Sequence, residues 1–358
     1  MKLNKRIIAF TELGKILKDV RNSSTRSGLN LAIENASKAN KWFSKENIFQ
    51  SIESLGEILE KEKINQWISG YDHIDKENKH PKKIGVIMAG NIPLVGFHDF
   101  LCVLMSDNCI SAKLSSGDLH LLPAVAKVLI ELEPGFKERI LFVPTFNISH
   151  SKSKENDSIA AFIATGSNNS AQHFDYYFRK HPHIIRRNRS SVGILSGTES
   201  ENDLKMLGND IFQYFGMGCR NVSKIYIPEG YNLDKVFSSI VDFGDVIHHH
   251  KYANNYNYYR SIYLLNTEKF LDNNFIMLKE SAGMASPVGT LYYEQYKNET
   301  DLYNILNALS EQIQCISSNR SLPPSLEPIR VDFGKTQQPA LWDYADGVDT
   351  MNFLLTLK

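Results

Sequence analysis

The sequence predicts an α/β protein with parallel, doubly wound sheets in two domains. Three observations carry that expectation. Short apolar runs of the buried-strand type alternate with helical periodicities between residues 84 and 178. The same alternation resumes after a basic segment that ends at Arg189. The chain has 358 residues, enough for two domains, with 42 % hydrophobic and 22 % charged residues. Such a chain buries a core without disulfides or metals.

Charge and cysteine usage exclude several classes. Lysine plus arginine and aspartate plus glutamate each number 40, so the net charge is zero and no nucleic-acid partner is expected. The four cysteines, Cys102, Cys109, Cys219 and Cys315, show no CxxC spacing, so no zinc site or redox dithiol is expected. They suit a reducing compartment. The apolar run at residues 7–10 is too short for a signal peptide. No run approaches the roughly 18 apolar residues of a membrane span. The expectation is a cytoplasmic protein with no membrane span and no metal.

Residues 7–70 show helical spacing at Phe10, Leu13, Ile16, Leu17 and Val20 and again at Ile48, Ile52, Leu55, Ile58 and Leu59. Trp42 and Trp67 are expected packing anchors. Residues 72–83 are charged but mixed and read as a loop or solvated hairpin. Residues 84–89 form a first strand, and a turn at Gly90-Asn91-Ile92-Pro93 leads into a helix over 94–105, with Pro93 in its first turn. Residues 109–114 give a second strand, Ser115-Ser116-Gly117-Asp118 a turn, and 121–132 a helix. Strands at 140–143 and 159–164 follow, then Thr165-Gly166-Ser167 and a helix containing 171–178. In open parallel sheets ligands bind beyond the carboxyl ends of the strands, where three polar turns lie: Asn91, Ser115-Ser116-Gly117 and Thr165-Gly166-Ser167. A nucleotide cofactor fits such turns, because backbone N–H groups and helix dipoles there face phosphate. Neither GxGxxG nor GxxxxGK[ST] occurs.

The second half offers a strand at 191–195, a helix over 202–214, a strand at 224–228 stopped by Pro228, a helix over 233–241 and a strand at 262–265. His248-His249-His250 reads as a surface loop or strand end, because adjacent residues do not converge on one ion. An amphipathic helix over 302–316, a boundary at Pro323-Pro324 and an apolar strand at 351–357 complete the chain. Arg186, Arg187 and Arg189 read as a solvated strand entrance, with a phosphate site as the alternative.

One stretch draws chemistry. Phe215-Gly216-Met217-Gly218-Cys219-Arg220 joins a helix to a strand, where a short side chain can face outward. Its glycines permit positive φ and close ligand approach. Arg220 adjoins the cysteine and favours a thiolate. Cys219 is thus a candidate nucleophile. A buried cysteine in a tight turn is the other reading.

Ile87-Met88-Ala89-Gly90-Asn91-Ile92-Pro93, Ala112-Lys113-Leu114-Ser115-Ser116, Ala164-Thr165-Gly166-Ser167, Gly216-Met217-Gly218-Cys219-Arg220-Asn221-Val222-Ser223-Lys224 and Tyr344-Ala345-Asp346-Gly347-Val348-Asp349 occur in that order. Together they resemble the aldehyde dehydrogenase superfamily, and within it the acyl-CoA reductase branch, which includes the fatty acid reductase of bacterial luminescence. The resemblance runs from about residue 80 to the end. It implies that Cys219 carries an acyl thioester and that Asn91, with the backbone N–H of Cys219, forms the oxyanion hole. On local grounds Asn91 reads equally as a helix N-cap. The resemblance further implies that Lys113 contacts the cofactor's adenosine ribose and that Thr165, Gly166 and Ser167 form the turn facing its pyrophosphate. An ordinary Ser/Thr cap is the local alternative for that turn.

Three departures from the family pattern shape the expectation. NAD-preferring members place an acidic residue after the lysine, where this chain has Ser115 and Ser116. Small residues beside Lys113 leave room for a 2′-phosphate, so NADPH is expected over NADH. The hydrolytic members' glutamate base is missing, since no Asp or Glu lies between Asp175 and Glu199. Without a base, water attacks the acyl-enzyme slowly, which suits a reductase. The glutamate that holds the nicotinamide ribose is replaced by Gly283.

The expectation is an aldehyde dehydrogenase-like fold. A Rossmann-like cofactor domain with a helical start spans 1–188, a catalytic domain 189–325, and a segment 326–358 returns to the catalytic domain or to a subunit interface. The expected activity is NAD(P)H-dependent reduction of an acyl-thioester, a fatty acyl-CoA, to an aldehyde. An acyl-phosphate reductase and a non-catalytic binding protein that kept the fold remain alternatives. The expected partners are the acyl-CoA or another acyl-thioester, further copies of the chain in a homo-oligomer, and an acyl-activating enzyme.

Overall fold

The structure, a computed structural model, describes residues 1–22, 27–72, 74–75, 78, 80–146 and 159–357. The loop expected over 72–83 lies partly outside the described residues. The chain forms two compact units, Met1–Arg187 with Ala340–Lys358, and Asn188–Pro339.

The first unit opens with α1 (Leu3–Lys18), α2 (Ser27–Ala39), α3 (Lys45–Ile58) and α4 (Lys61–Ile68), as the helical spacing predicts. Phe10, Leu13, Leu17, Ile48 and Ile52 are the buried stripes of that periodicity. Helices α1 and α3 touch at glycines. A Cβ on Gly56 would lie 2.7 Å from the Lys18 nitrogen and 2.8 Å from the Gly14 carbonyl oxygen. Gly56→Ala is expected to cost about 1–3 kcal/mol through overpacking, read as a lower urea midpoint at unchanged slope.

A five-stranded parallel sheet follows, in the order β3-β2-β1-β4-β5. Its strands are β1 (Lys83–Ile87), β2 (Cys109–Lys113), β3 (Ile140–Phe142), β4 (Ile159–Thr165) and β5 (His183–Arg186). The helices α5 (Phe97–Met105), α6 (Leu121–Leu132) and α7 (Asn168–Phe178) connect them. From β1 the chain winds outward through β2 and β3, then returns to β4 on the other side. That reversal puts the switch point between β1 and β4.

The second unit holds a seven-stranded sheet, β12-β11-β6-β7-β10-β9-β8, parallel except at the β8/β9 edge. Its elements are β6 (Ser190–Ile194), α8 (Glu201–Phe212), β7 (Val222–Pro228), α9 (Asp234–Ser239), α10 (His250–Leu265), β8 (Leu271–Asp272), β9 (Met277–Glu280), β10 (Thr290–Tyr296), α11 (Glu299–Ala308), β11 (Ile313–Ser317) and β12 (Arg330–Val331).

Several expectations are corrected. The strand expected at 262–265 is the last turn of α10, whose buried face is made of Tyr252, Tyr256 and Tyr263 instead of aliphatic residues. The helix expected over 302–316 stops at Ala308, and its end is the fully buried strand β11. Short apolar runs do not distinguish helix from strand by periodicity. The strand expected at 351–357 is a helix, Thr350–Leu355, started by the Asp349 carboxylate, which accepts the Asn352 N–H at 2.8 Å. Helix α5 begins at Phe97, three residues later than expected, because Leu94 has φ 58°.

The tail also differs from expectation. Residues 340–358 pack into the first unit. Trp67 Nε1 donates to the Tyr344 hydroxyl at 2.6 Å, and the Tyr71 hydroxyl bonds Tyr344 at 2.6 Å and Asp349 at 2.9 Å. His98 Nε2 pairs with the Leu341 carbonyl at 2.9 Å. Arg186 is not solvated. Its guanidinium is buried, pairs with Asp99 and donates to Thr350 Oγ1 at 2.8 Å. Arg187 does lie at the surface, against Asp175 at 2.6 Å.

Candidate active site

Cys219 is exposed in the turn between α8 and β7, so the reading as a buried cysteine fails. The turn is built from backbone geometry that the glycines alone do not explain. Tyr214 and Phe215 have φ of 53° and 58°, followed by Gly216 at 75°. The left-handed region costs a non-glycine residue about 1–2 kcal/mol. Phe215 is braced there by the His249 ring, stacked at 4.1 Å. His249 Nδ1 in turn accepts the Tyr252 N–H at 3.3 Å and caps α10. The histidine run therefore starts a helix, and no cluster suited to a metal occurs among the described residues.

Asn221 frames the turn from within. Its Oδ1 accepts the Gly218 N–H at 2.8 Å, and its Nδ2 donates to the carbonyls of Asp210 at 3.0 Å and Gln213 at 2.8 Å. These carbonyls at the end of α8 have no partner within the helix. Asn221→Ala is expected to cost about 1–3 kcal/mol and to speed hydrogen exchange at the Gly218 amide.

Beneath the turn lies Asp210, a buried carboxylate. It accepts from Ser317 Oγ at 2.7 Å, Gly334 N–H at 2.8 Å, Thr336 N–H at 3.1 Å and Thr336 Oγ1 at 2.8 Å. Burial pushes its pKa above the usual range, against the pull of these donors. Asp210 thereby fixes Thr336, whose carbonyl takes the Arg220 Nε–H. Further along β7, Lys224 is buried, pairs with Glu294 and donates to the Ala282 carbonyl at 3.1 Å. Ser223 Oγ donates to the Met284 carbonyl at 2.9 Å. The strand after the cysteine thus holds both flanks of Gly283, which is exposed.

In the first unit, the three predicted turns stand at the carboxyl ends of β1, β2 and β4. Two of them touch. A Cβ on Gly90 would lie 2.6 Å from Ser115 Oγ, and one on Gly117 would lie 2.5 Å from the Gly90 carbonyl oxygen. Only glycine permits that approach. Asp118 locks the pair by accepting the Leu94 N–H at 2.9 Å and the Leu121 N–H at 3.3 Å. Burial raises its pKa.

Ser115 Oγ accepts the Gly117 N–H at 3.2 Å, so this hydroxyl serves its own turn, while Ser116 is exposed and Lys113 is half-buried at the end of β2. Asn91 is half-buried and does not cap α5, whose N-cap is Gly96. Ser167 does cap α7, accepting the Ser170 N–H at 3.3 Å. Thr165 ends β4, and the Gly166 N–H donates to the Arg186 carbonyl at 3.3 Å. The turns after β1 and β4 flank the switch point. The sequence reading missed Asp210, Ser191, Lys224 and Thr336 as supports of the cysteine turn. It quoted Asn221 without giving it a role, although an Asn two residues after a Gly-Cys turn is a recognisable turn former.

An exposed cysteine in the glycine-containing turn of one unit, and polar turns at the switch point of a doubly wound parallel sheet in the other, are the elements of an aldehyde dehydrogenase-like fold. The family model of acyl-CoA reductase (LuxC) matches residues 12–236. The chain belongs to the acyl-CoA reductase family. No curated protein matches it. Among solved structures it is similar to aldehyde dehydrogenase 21 of Physcomitrella patens in complex with the reaction product succinate. The identity is 11 %, covering 99 % of this chain and 84 % of that one, at a TM-score of 0.67. It is also similar to a Mycobacterium tuberculosis aldehyde dehydrogenase complexed with NAD+, at 14 % identity, 92 % and 75 % coverage and a TM-score of 0.63. The aldehyde dehydrogenase KauB of Pseudomonas aeruginosa gives 12 %, 90 %, 73 % and 0.64. These likenesses establish the fold.

Proposed function

We propose that the protein reduces a fatty acyl-CoA to the aldehyde through an acyl group carried on Cys219. The observation that carries this reading is an exposed cysteine, held in a framed turn, in a chain of the acyl-CoA reductase family. The Cys219 thiolate attacks the thioester carbonyl, the bond from that carbon to the CoA sulfur breaks, and CoA leaves as its thiolate. The Cys219 backbone N–H would stabilise the oxyanion that develops on the carbonyl, and the family resemblance assigns Asn91 as its amide donor. The Cys219 sulfur holds the acyl carbon until reduction and leaves it as a thiolate when the aldehyde forms. The absence of any acidic residue between Asp175 and Glu199 supports slow hydrolysis, which preserves the acyl-enzyme for reduction.

The first unit would hold the cofactor and the second the acyl group. A nicotinamide cofactor, when bound, supplies the hydride. Its fit is supported by the turns flanking the β1/β4 switch point and by the start of α7, where Thr165, Gly166 and Ser167 would face the pyrophosphate. Lys113 and the exposed Ser116 would take the adenosine ribose with its 2′-phosphate, and Ser115 would shape their turn. NADPH is therefore the preferred donor. The test is cofactor oxidation with acyl-CoAs of graded chain length. The expected kcat/KM ratio favours NADPH over NADH by about tenfold, the equivalent of one modest ionic contact. Lys113→Ala is expected to erase that ratio. Equal use of both cofactors by the unaltered protein would refute the phosphate assignment. Oxidation with acyl phosphates alone would refute the thioester.

A further inference from the structure

We propose that Ser191 is a positioning residue for Cys219, an inference that rests on the reading of Cys219 as the acyl-carrying nucleophile. Ser191 sits near the amino end of β6, opposite Val222 at the start of β7, and is fully buried. Its Oγ donates to the Cys219 carbonyl at 3.0 Å and lies 3.1 Å from Cys315 Sγ. A hydroxyl has one proton, and a carbonyl can only accept. With the serine proton committed to Cys219, the Cys315 thiol must supply the hydrogen in the other contact. The result is a directed chain from Cys315 S–H through Ser191 to the backbone of the nucleophile.

This chain completes the fixing of the cysteine. The peptide before Cys219 is held by the Asn221 N–H, which donates to the Gly218 carbonyl at 3.0 Å. The peptide after it is held by Ser191. Both peptides are trans. With both peptide planes pinned, the two backbone torsions of Cys219 are set. They fix the direction of its Cα–Cβ bond and of its own N–H, the two features the acyl transfer uses. The tie from Asn221 is internal to the turn. Ser191 anchors the cysteine peptide to the sheet through its side chain. Placement of a reacting atom is worth large rate factors, so a loosened peptide should slow acylation without weakening substrate binding.

The test is single-turnover acylation from acyl-CoA without cofactor, followed by intact-protein mass, on the full chain, Ser191→Ala and Ser191→Thr. Ser191→Ala is expected to acylate to one group per chain at a rate constant about three- to tenfold lower. The half-saturating acyl-CoA concentration should not change. Ser191→Thr, which restores a hydroxyl, is expected to recover to within about twofold. If the added methyl prevents folding, Ser191→Cys takes its place, and the expected rate lies between wild type and Ser191→Ala. A wild-type rate constant in Ser191→Ala overturns the proposal, and so does a loss of amplitude at an unchanged rate constant. No adduct on the unaltered protein would instead overturn the nucleophile reading.

Discussion

Cys219→Ala is expected to lower acyl-CoA-dependent NADPH oxidation by about four orders of magnitude or more, because the group proposed to carry the acyl chain is gone. No other thiol can take over. Burial pushes the Cys102 thiol well up, and burial raises Cys109 as well. Cys315 is buried and serves Ser191. Cys219→Ser should be nearly as inactive, since an unassisted hydroxyl is a weak nucleophile at neutral pH. Neither change should alter stability by more than about 0.5 kcal/mol, because the side chain is at the surface. Nucleotide binding to the first unit should persist. A variant that loses both nucleotide binding and folding would show that the turn, and not the thiol, had been damaged.

Arg186→Met is expected to destabilise the first unit by about 3–5 kcal/mol, since it leaves the Asp99 carboxylate buried with no cation. The two side chains are 7 % and 8 % exposed. Asp99 Oδ1 and Arg186 Nε make no hydrogen bond among the described residues, so the pair is already incompletely satisfied. The loss should extend to the tail, because Arg186 also holds Thr350. Trp42, Trp67 and Trp342 are the three tryptophans of the chain and all lie in the first unit, so indole fluorescence in a denaturant titration reports on that unit. The double change Asp99→Leu with Arg186→Met should recover much of the loss, as replacing a buried pair by apolar groups often does. A loss in Arg186→Met that Asp99→Leu does not relieve would mean that the arginine acts through Thr350 and the tail.

Legibility differed between the two units for physical reasons. The strands β1, β2 and β4 are covered on both faces and so are continuous apolar runs, which made the first unit readable from β1 to α7. Helix α6 spans the predicted residues 121–132. In the second unit α10 buries tyrosines, and β10 carries Glu294, which pairs with the buried Lys224 of β7, so neither element has an ordinary hydrophobic signature. Strand β5 escaped because it ends in arginine. The partner that makes Arg186 a buried residue is Asp99, 87 positions away. The same distance effect divides the site. Cys219 and the polar turns were visible in local motifs. The supports were not, because Asp210 meets Thr336 across 126 positions and Ser191 meets Cys315 across 124.

The most direct test of the central claim is the intact mass of the protein after mixing with a panel of acyl-CoAs and no cofactor. The expected result is a gain of one acyl group, absent in Cys219→Ala and discharged as aldehyde when NADPH is added. No adduct with any acyl-CoA, or an adduct that persists in Cys219→Ala, would contradict it.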